Sequence, residues 1–158
     1  MRIAFGCQAR VGKDLAAEYM QQQHGGTILR FAGPLKDIQA YAQKVCGFDQ
    51  VKDPKFLQMV GTEWARAQDE DVWVKALQRQ ITDEGNYFIS DLRFLNEATM
   101  LQKMGFILVR IAREDRVIDR DPTHVSENEL VEWDGWDIVI NNNSTIDTFK
   151  ECLDSIVD

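Results

Sequence analysis

The chain has 158 residues, 44% of them hydrophobic, and a formal net charge of −8. This length predicts one domain with a substantial hydrophobic core, and the acidic balance argues against broad electrostatic binding of DNA or RNA. The three cysteines lack metal-ligand spacing, and no charged leader or membrane-length apolar run is present, so a soluble cytoplasmic protein with free thiols is expected.

Short β-rich apolar runs alternate with amphipathic helical patterns along the chain. Strands are predicted at residues 2–5, 27–31, 87–90, 106–111 and 138–140. Helices are predicted at residues 14–23, 34–45, 71–82, 95–104 and 145–157, with a helical insert at 51–67. Such alternation predicts a parallel sheet covered on both faces, with ligands at the carboxyl ends of its strands. The polar, charged segment 113–129 is typical of a lid.

The first predicted strand runs into a loop that closes with Gly12-Lys13, and a helical pattern follows at once. This is the layout of a phosphate-binding P-loop, whose backbone N–H groups surround an anion and whose lysine reaches the β- and γ-phosphates. The usual spacing, G-x-x-x-x-G-K-[ST], is altered at both ends, since Cys7 replaces the first glycine and Asp14 the hydroxyl residue. An ordinary turn with a surface lysine is the alternative interpretation.

Two further junctions between predicted strands and helices carry candidate ligand-binding groups. After the third strand, Asp91 can hold Mg²⁺ through water, and Arg93 can clamp a phosphate with its planar guanidinium. A salt bridge between these two residues that caps the next helix is the alternative. After the second strand, Lys36 lies in the first turn of a helix. A lysine there is mildly unfavourable against the helix dipole unless an anion neutralises it. A solvated surface lysine is the ordinary explanation of that residue.

The helical insert and the end of the fourth strand supply the remaining candidates. In the insert, Trp64 can stack on a base and Thr62 or Arg66 can reach a sugar or phosphate, although such a tryptophan more often packs in a core. Four arginines lie near the fourth strand and after it: Arg110, Arg113, Arg116 and Arg120. Positioned arginines stabilise the charge of a phosphoryl group during its transfer. Acidic residues are interspersed, so a solvated loop competes, and we expect one or two of the four to act.

Taken in order, these segments resemble the deoxynucleoside monophosphate kinases encoded by bacteriophages and prophages. The resemblance rests on residues 9–14, 31–36, 61–64, 71–74, 90–97, 124–127 and 140–145. Each block is short, but their order over nearly the whole chain is specific. Gly-Lys-Asp is usual in that family, so Asp14 fits it, whereas Cys7 and Leu15 stand where the family commonly has glycine and threonine.

The resemblance implies a three-layer α/β P-loop kinase fold with a parallel five-stranded sheet, a helical insert and a lid, as a single domain over residues 1–158. It implies transfer of the γ-phosphoryl group of ATP to a deoxynucleoside 5′-monophosphate with Mg²⁺. The protein would act in the cytoplasm, that of the host if a phage encodes it. Neither polymeric nucleic acid nor a membrane is expected as a partner, and a homodimer is compatible with the family.

Roles for individual residues also follow from the resemblance. ATP would contact Ala9, Arg10, Val11, Gly12, Lys13 and Asp14, with Asn141 and Asn143 near the adenine. The deoxynucleotide would contact Leu35, Lys36, Thr62, Trp64, Arg66, Asp91 and Arg93, mostly in an acceptor-binding region at about 34–67. The catalytic residues would be Lys13, Arg93, Arg113 and Arg116, the last two closing from the lid at 113–129. Asp14 and Asp91 would position Mg²⁺, in part through water.

Three alternatives stay open at this point. Another P-loop kinase, acting on dephospho-coenzyme A or a nucleoside, usually keeps Ser or Thr after the lysine, so Asp14 argues against it. A nucleotide-binding module whose catalysis has decayed would bind nucleotide without turnover. A structural α/β domain would not bind ATP with Mg²⁺ at all. No run of residues indicates a purine or a pyrimidine preference.

Overall fold

The strands of the computed structural model, which describes residues 1–115 and 128–157, form one parallel sheet. They are β1 (Arg2–Gly6), β2 (Thr27–Leu29), β3 (Tyr87–Leu92), β4 (Ile107–Ala112) and β5 (Ile138–Asn141), in the order β2-β3-β1-β4-β5. Each pairing between neighbouring strands is parallel. The predicted α/β class and five-stranded parallel sheet are therefore confirmed. All carboxyl ends share one edge, and β1 lies at the centre.

Helices occupy the predicted intervals between the strands. Within the described ranges they are α1 (Lys13–His24), α2 (Gly33–Cys46), α3 (Pro54–Gln58), α4 (Val72–Gln78), α5 (Leu95–Lys103) and α6 (Ile146–Asp154). A π-helical segment, Met59–Arg66, continues α3 directly. Helix α4 ends four residues before its predicted end, because the amides of Gln80 and Ile81 bond to carbonyls three residues back instead of four. None of the described helices is long and apolar enough to span a membrane.

Alternation along the central strands decides which residues form the core. Ile3 and Phe5 of β1 lie with Val109 and Ile111 of β4 in one fully buried cluster. The helical members of this cluster come from α1 and α6: Ala16, Ala17, Met20, Phe149 and Leu153. The intervening residues Ala4 and Leu108 are equally buried and face the opposite side of the sheet, because successive strand residues alternate. Helix α5 packs against β4 and buries its own apolar residues Ala98 and Leu101.

The chain forms two compact units, residues 1–30 with 83–158, and residues 31–82. The first unit carries the sheet with α1, α5 and α6, and the second carries α2, α3, the π-helical segment and α4. In the second unit the buried Trp73 donates from Nε1 to the carbonyl of Gly61 at 3.0 Å. Leu35 packs so closely on Gly61 that a Cβ there would lie 2.6 Å from Leu35 Cδ2. These contacts join α2 and α4 to the π-helical segment.

Helix α2 shows that helical periodicity and burial are separate properties. The predicted apolar face of Leu35, Ile38, Ala42 and Val45 is present, because the segment is helical throughout. Leu35 and Ala42 are half-buried, but Ile38 is 40% exposed and Val45 is 67% exposed. A pattern of apolar residues therefore identifies the helix here without showing what covers it.

Candidate functional site

The loop between β1 and α1, residues 7–12, has an unusual backbone. Cys7, Arg10 and Gly12 have φ angles of 85°, 62° and 108°. Left-handed backbone is cheap only for glycine and costs other residues about 1–2 kcal/mol each. Cys7 therefore takes a conformation that favours glycine, at the position where the resembling family commonly has glycine. Such a strained conformation persists when the surrounding structure holds it in place. Here the Cys7 amide donates to the carbonyl of Leu92 at 3.2 Å, which holds the turn against β3.

Helix α1 begins directly at this loop. Gly12 is its N-cap residue, its carbonyl accepts the Ala16 amide at 3.0 Å, and no side chain caps the helix end. The first-turn amides and the positive end of the helix dipole therefore point to the loop. Backbone N–H groups at a helix N-terminus form a favourable environment for a phosphate. An uncapped helix N-terminus beside this loop is compatible with the anion site that the sequence predicts, and anion binding stays a prediction.

Lys13 lies against the inside of this loop. Its side chain is 6% exposed, and Nζ donates to the carbonyl of Cys7 at 3.2 Å and to the carbonyl of Gln8. The ammonium group is thus held at the start of the loop by backbone oxygens. Of the other predicted loop residues, Ala9 and Val11 are buried and Arg10 is exposed.

Asn142, which the sequence analysis did not select, fastens the loop from β5. Its buried side chain donates from Nδ2 to the carbonyl of Val11 at 2.9 Å, and its backbone amide donates to Ala112 at 2.8 Å. A Cβ on Gly12 would lie 2.8 Å from this Nδ2 atom. Side chains alternate between buried and exposed along the end of β5, so Asn142 is buried like Ile140. This alternation is the sequence pattern from which Asn142 could have been identified. The predicted Asn141 is exposed at the end of β5.

Asn143, the other predicted asparagine, lies on the surface. Its side-chain oxygen accepts the backbone amide of Glu114 at 2.9 Å, just beyond the end of β4. This contact connects the residues that follow β4 with those that follow β5. Asn143 therefore orders the loop edge, and no described contact joins it to the β1–α1 loop.

Asp14 is anchored by two residues that the sequence analysis also missed. Asp14 Oδ1 accepts from Ser90 Oγ at 2.8 Å and from the guanidinium of Arg30 at 3.0 Å. Desolvation by neighbouring groups raises the pKa of Asp14. The hydrogen bonds from Ser90 and Arg30 and the positive charges of Arg30 and Lys13 lower it by more, so the pKa of Asp14 is below its ordinary value. Both contacts use Oδ1 and leave Oδ2 without a contact among the described residues.

Replacing Ser90 by alanine is expected to raise the pKa of Asp14 toward its ordinary value. A depressed carboxylate pKa stabilises the fold above the unfolded-state pKa of about 3.9, and this contribution is lost as pH falls through the folded-state pKa. The variant should therefore lose less stability on acidification. Carboxyl NMR titration of Asp14 measures the pKa directly, with Ser144→Ala, at an exposed position, as the matched control. An unchanged Asp14 titration in Ser90→Ala would contradict the assignment.

Strand β3 carries a β-bulge where it approaches the loop. Ala4 pairs with Ile89 but Gly6 pairs with Leu92, so Ser90 and Asp91 together stand opposite one residue of β1. The bulge extends β3 two residues beyond its predicted end and includes Asp91 in the strand. Bulges re-aim side chains and are common beside active sites. The irregularity places Ser90 beside Asp14.

A buried carboxylate holds the turn after β3. Glu97 is 2% exposed, and its Oε2 accepts the amides of Arg93 at 3.0 Å and Phe94 at 3.1 Å. In the second bond the Glu97 side chain accepts the amide of Phe94, the N-cap residue of α5, as the acidic residue of a capping box does. Glu97 therefore sets the backbone that carries the predicted ligands Asp91 and Arg93, which are both half-buried.

Glu97→Ala is expected to lower the free energy of unfolding by about 1–3 kcal/mol, because two amides lose a charged acceptor in a buried place. Urea denaturation measures the change. Glu151→Ala, at an exposed helical position, is the matched control and should lie within about 0.5 kcal/mol of the wild type. Equal stabilities of the two variants would show that Glu97 does not hold this turn.

The predicted acceptor residues of the second unit lie on α2 and the π-helical segment. Lys36 and Thr62 are exposed, and Trp64 is 60% exposed. Arg66 is half-buried and donates to the carbonyl of Glu70 at 3.4 Å. π-Helical turns are rare and often occur at functional sites. Within this unit, the contact of Leu35 with Gly61 brings α2 next to the segment that carries Thr62 and Trp64.

The predicted lid is described only at its two ends. Arg113 is exposed and follows the last residue of β4. Arg116 and Arg120 lie outside the described residues, as does most of the range 113–129. Across residues 1–115 and 128–157, no group of three or more His, Cys, Asp or Glu residues could hold a metal ion by itself. Mg²⁺ is often bound through one or two carboxylates together with substrate phosphates, so the metal role predicted for Asp14 does not require such a group and stays a prediction.

Comparison with known proteins gives two findings. Residues 48–153 match the family model described as deoxynucleotide monophosphate kinase. The chain is also 31% identical over 182 aligned positions to a protein of Acanthamoeba polyphaga mimivirus named "Putative deoxynucleotide monophosphate kinase". That alignment covers 93% of this chain and 91% of the viral protein, whereas the family-model match begins after the β1–α1 loop.

Proposed function

Because the chain belongs to the deoxynucleotide monophosphate kinase family, we propose that it transfers the γ-phosphoryl group of ATP to a deoxynucleoside 5′-monophosphate, giving the diphosphate and ADP. The observation that carries the proposal is the β1–α1 loop. Its left-handed residues, its position at the uncapped start of α1 and the enclosed Lys13 amine together suit a P-loop that holds a triphosphate. We expect the protein to act in the cytoplasm, that of the host if a phage encodes it.

In this proposal the donor binds at residues 9–14. Amides of the loop and of the first turn of α1 hold the phosphates, and Lys13 bridges the β- and γ-phosphates. The Lys13 amine would exchange its two carbonyl partners for phosphate oxygens. Asn142 keeps the loop in its shape through Val11. Asn141 and Asn143 are the candidates for contact with the adenine.

The proposed Mg²⁺ site uses Asp14 and, through water, Asp91. Ser90 and Arg30 occupy Oδ1 of Asp14 and keep the carboxylate ionised, so Oδ2 is available to the metal or to a metal-bound water. When bound, Mg²⁺ supplies positive charge that shields the donor phosphates from the negatively charged acceptor. Ser90 orients the carboxylate and does not itself need to touch the metal.

Asp91 and Arg93 at the end of β3 are the proposed acceptor contacts in the first unit, and the second unit carries further candidates of its own. Trp64 presents an exposed ring on which a base can stack, and Lys36 is an exposed cation near the start of α2. Leu35, Thr62 and Arg66 complete the set. Arg113 and Arg116 are proposed to reach the transferring phosphoryl group as the lid closes, which would exclude water as a competing nucleophile.

The test is ADP formation from ATP with Mg²⁺ against a panel of deoxy- and ribonucleoside monophosphates. Turnover of at least one deoxynucleotide supports the proposal and identifies the preferred base. Binding of ATP without turnover on any monophosphate would overturn it and favour a nucleotide-binding module. Turnover only of dephospho-coenzyme A or a nucleoside, added to the same panel, would favour another kinase of this fold.

A further inference from the structure

Two buried hydrogen-bond donors of the first unit have no acceptor among the described residues. They are Arg110 Nε and Trp136 Nε1. Native proteins leave few buried donors unpaired, and each such donor calls for an explanation. Neither residue was assigned a role in the donor, metal or acceptor sites above.

Both residues flank the last residue of β1. Arg110 of β4 is in register with Gly6 across the pair of parallel strands, and Leu92 of β3 pairs with Gly6 on the other side. The Trp136 ring covers Gly6 so closely that a Cβ on that glycine would lie 2.4 Å from the ring atom Cη2. Cys7, whose carbonyl accepts from Lys13, is the next residue along the chain. The two residues that carry the unpaired donors therefore lie beside the base of the β1–α1 loop, and the indole faces Gly6 with Cη2 and Cζ3, on the side of the ring remote from Nε1.

The charge of Arg110 is also uncompensated within the described part of the chain. The side chain is only half-exposed, yet no carboxylate among residues 1–115 and 128–157 forms an ion pair with it. Acidic residues outnumber basic ones by 26 to 18, so carboxylates are abundant in this chain. Burying part of a cation without a partner is unfavourable, and this cost is recovered when an anion binds.

We infer that Arg110 binds a phosphate group of a nucleotide seated at the β1–α1 loop. The planar guanidinium offers several N–H groups in the geometry that matches phosphate oxygens. Because the side chain is not fully buried, a phosphate can reach it from the carboxyl edge of the sheet. This inference rests on the proposed function and adds a phosphate ligand to it. The phosphate belongs to the donor or to the acceptor nucleotide.

The inference is tested with Arg110→Met and Arg110→Lys, with Lys103→Met as the control for loss of one positive charge. Lys103 is exposed at the end of α5, toward the opposite edge of the sheet. We expect Arg110→Met to reduce kcat/KM by about 100-fold while its thermal midpoint without ligand stays equal or rises, because an unpaired cation has been removed. Arg110→Lys should keep part of the activity, and Lys103→Met should match the wild type.

The kinetic constants then identify which nucleotide Arg110 contacts. A raised KM for ATP alone assigns the donor, and a raised KM for the deoxynucleotide alone assigns the acceptor. Loss in kcat with both KM values unchanged assigns the transferring phosphoryl group.

Wild-type kinetics in Arg110→Met would overturn the inference. So would a lowered thermal midpoint of Arg110→Met combined with full activity of Arg110→Lys, since Arg110 would then be only structural. If the wild type turns over no substrate, the proposed function fails. The inference is then tested by the rise in the thermal midpoint of unfolding when ATP and Mg²⁺ are added. An equal rise in wild type and Arg110→Met would refute it, and a smaller rise in the variant would support it.

Discussion

Replacing Lys13 by alanine is expected to reduce kcat for the proposed phosphoryl transfer by about 100- to 1000-fold. The Lys13 amine is the positive charge enclosed by the β1–α1 loop, and it donates to the backbone carbonyls of Cys7 and Gln8. Both carbonyls would lose a charged donor in the variant, and the phosphates would lose a cation that moves with the γ-phosphoryl group. The measurement is steady-state ADP formation at saturating ATP and deoxynucleotide.

A folding control separates this effect from damage to the structure. Lys103→Ala removes the same charge from an exposed position and should leave kcat unchanged. The Lys13→Ala protein should keep a cooperative thermal transition, because Lys13 contributes no apolar side chain to the core cluster. Retention of more than half of the wild-type kcat in a folded Lys13→Ala protein would show that the loop lysine does not act in catalysis.

Gly6→Ala is expected to lower the free energy of unfolding by overpacking the site. The new Cβ would lie 2.4 Å from Trp136 Cη2, 2.8 Å from Trp136 Cζ3 and 3.1 Å from Leu92 Cδ2. Overpacking of this kind typically costs about 1–3 kcal/mol, and the planar indole must shift as a whole to make room for the new methyl group. The measurement is the free energy of unfolding in urea, with CD and tryptophan fluorescence as independent probes.

A double-mutant cycle with Trp136 isolates the cause. Gly6→Ala should cost much less in a Trp136→Ala background, because the ring that clashes is gone. Gly33→Ala is the matched control, since a Cβ there meets nothing within 4 Å, and it should stabilise the protein by up to about 1 kcal/mol. An equal cost of Gly6→Ala in both backgrounds would show that the Trp136 ring is not the obstacle.

The reason for a glycine at position 6 cannot be found from local spacing. By the P-loop spacing Gly6 stands one residue before the usual first glycine, so the sequence predicts no role for it in the loop. The structure explains it by the close approach of Trp136, which lies 130 positions away along the chain. At Cys7 the local spacing was informative. The spacing places a glycine there, and the φ of 85° is a backbone conformation that glycine adopts most easily.

The missed residues share one physical property. Ser90 is 76 positions from Asp14, and Asn142 is 131 positions from Val11, so neither contact has a local spacing. The predicted Lys13 and Asp14 follow their loop directly, and their placement depends only on a strand, a turn and a helix N-terminus. Short-range motifs could therefore be identified from the residues alone, whereas the side chains that hold those motifs in place could not.

The sequence by itself determined the number of strands, the alternation of strands with helices and the loop that closes with Gly12-Lys13, because periodicity and turn residues act over a few positions. Only the tertiary structure decided the order β2-β3-β1-β4-β5, which puts β3 and β4 on either side of β1. That order brings Ser90 to Asp14 and Arg110 to Gly6. Strand neighbours depend on packing and hydrogen bonds between distant segments, and local patterns carry no record of them.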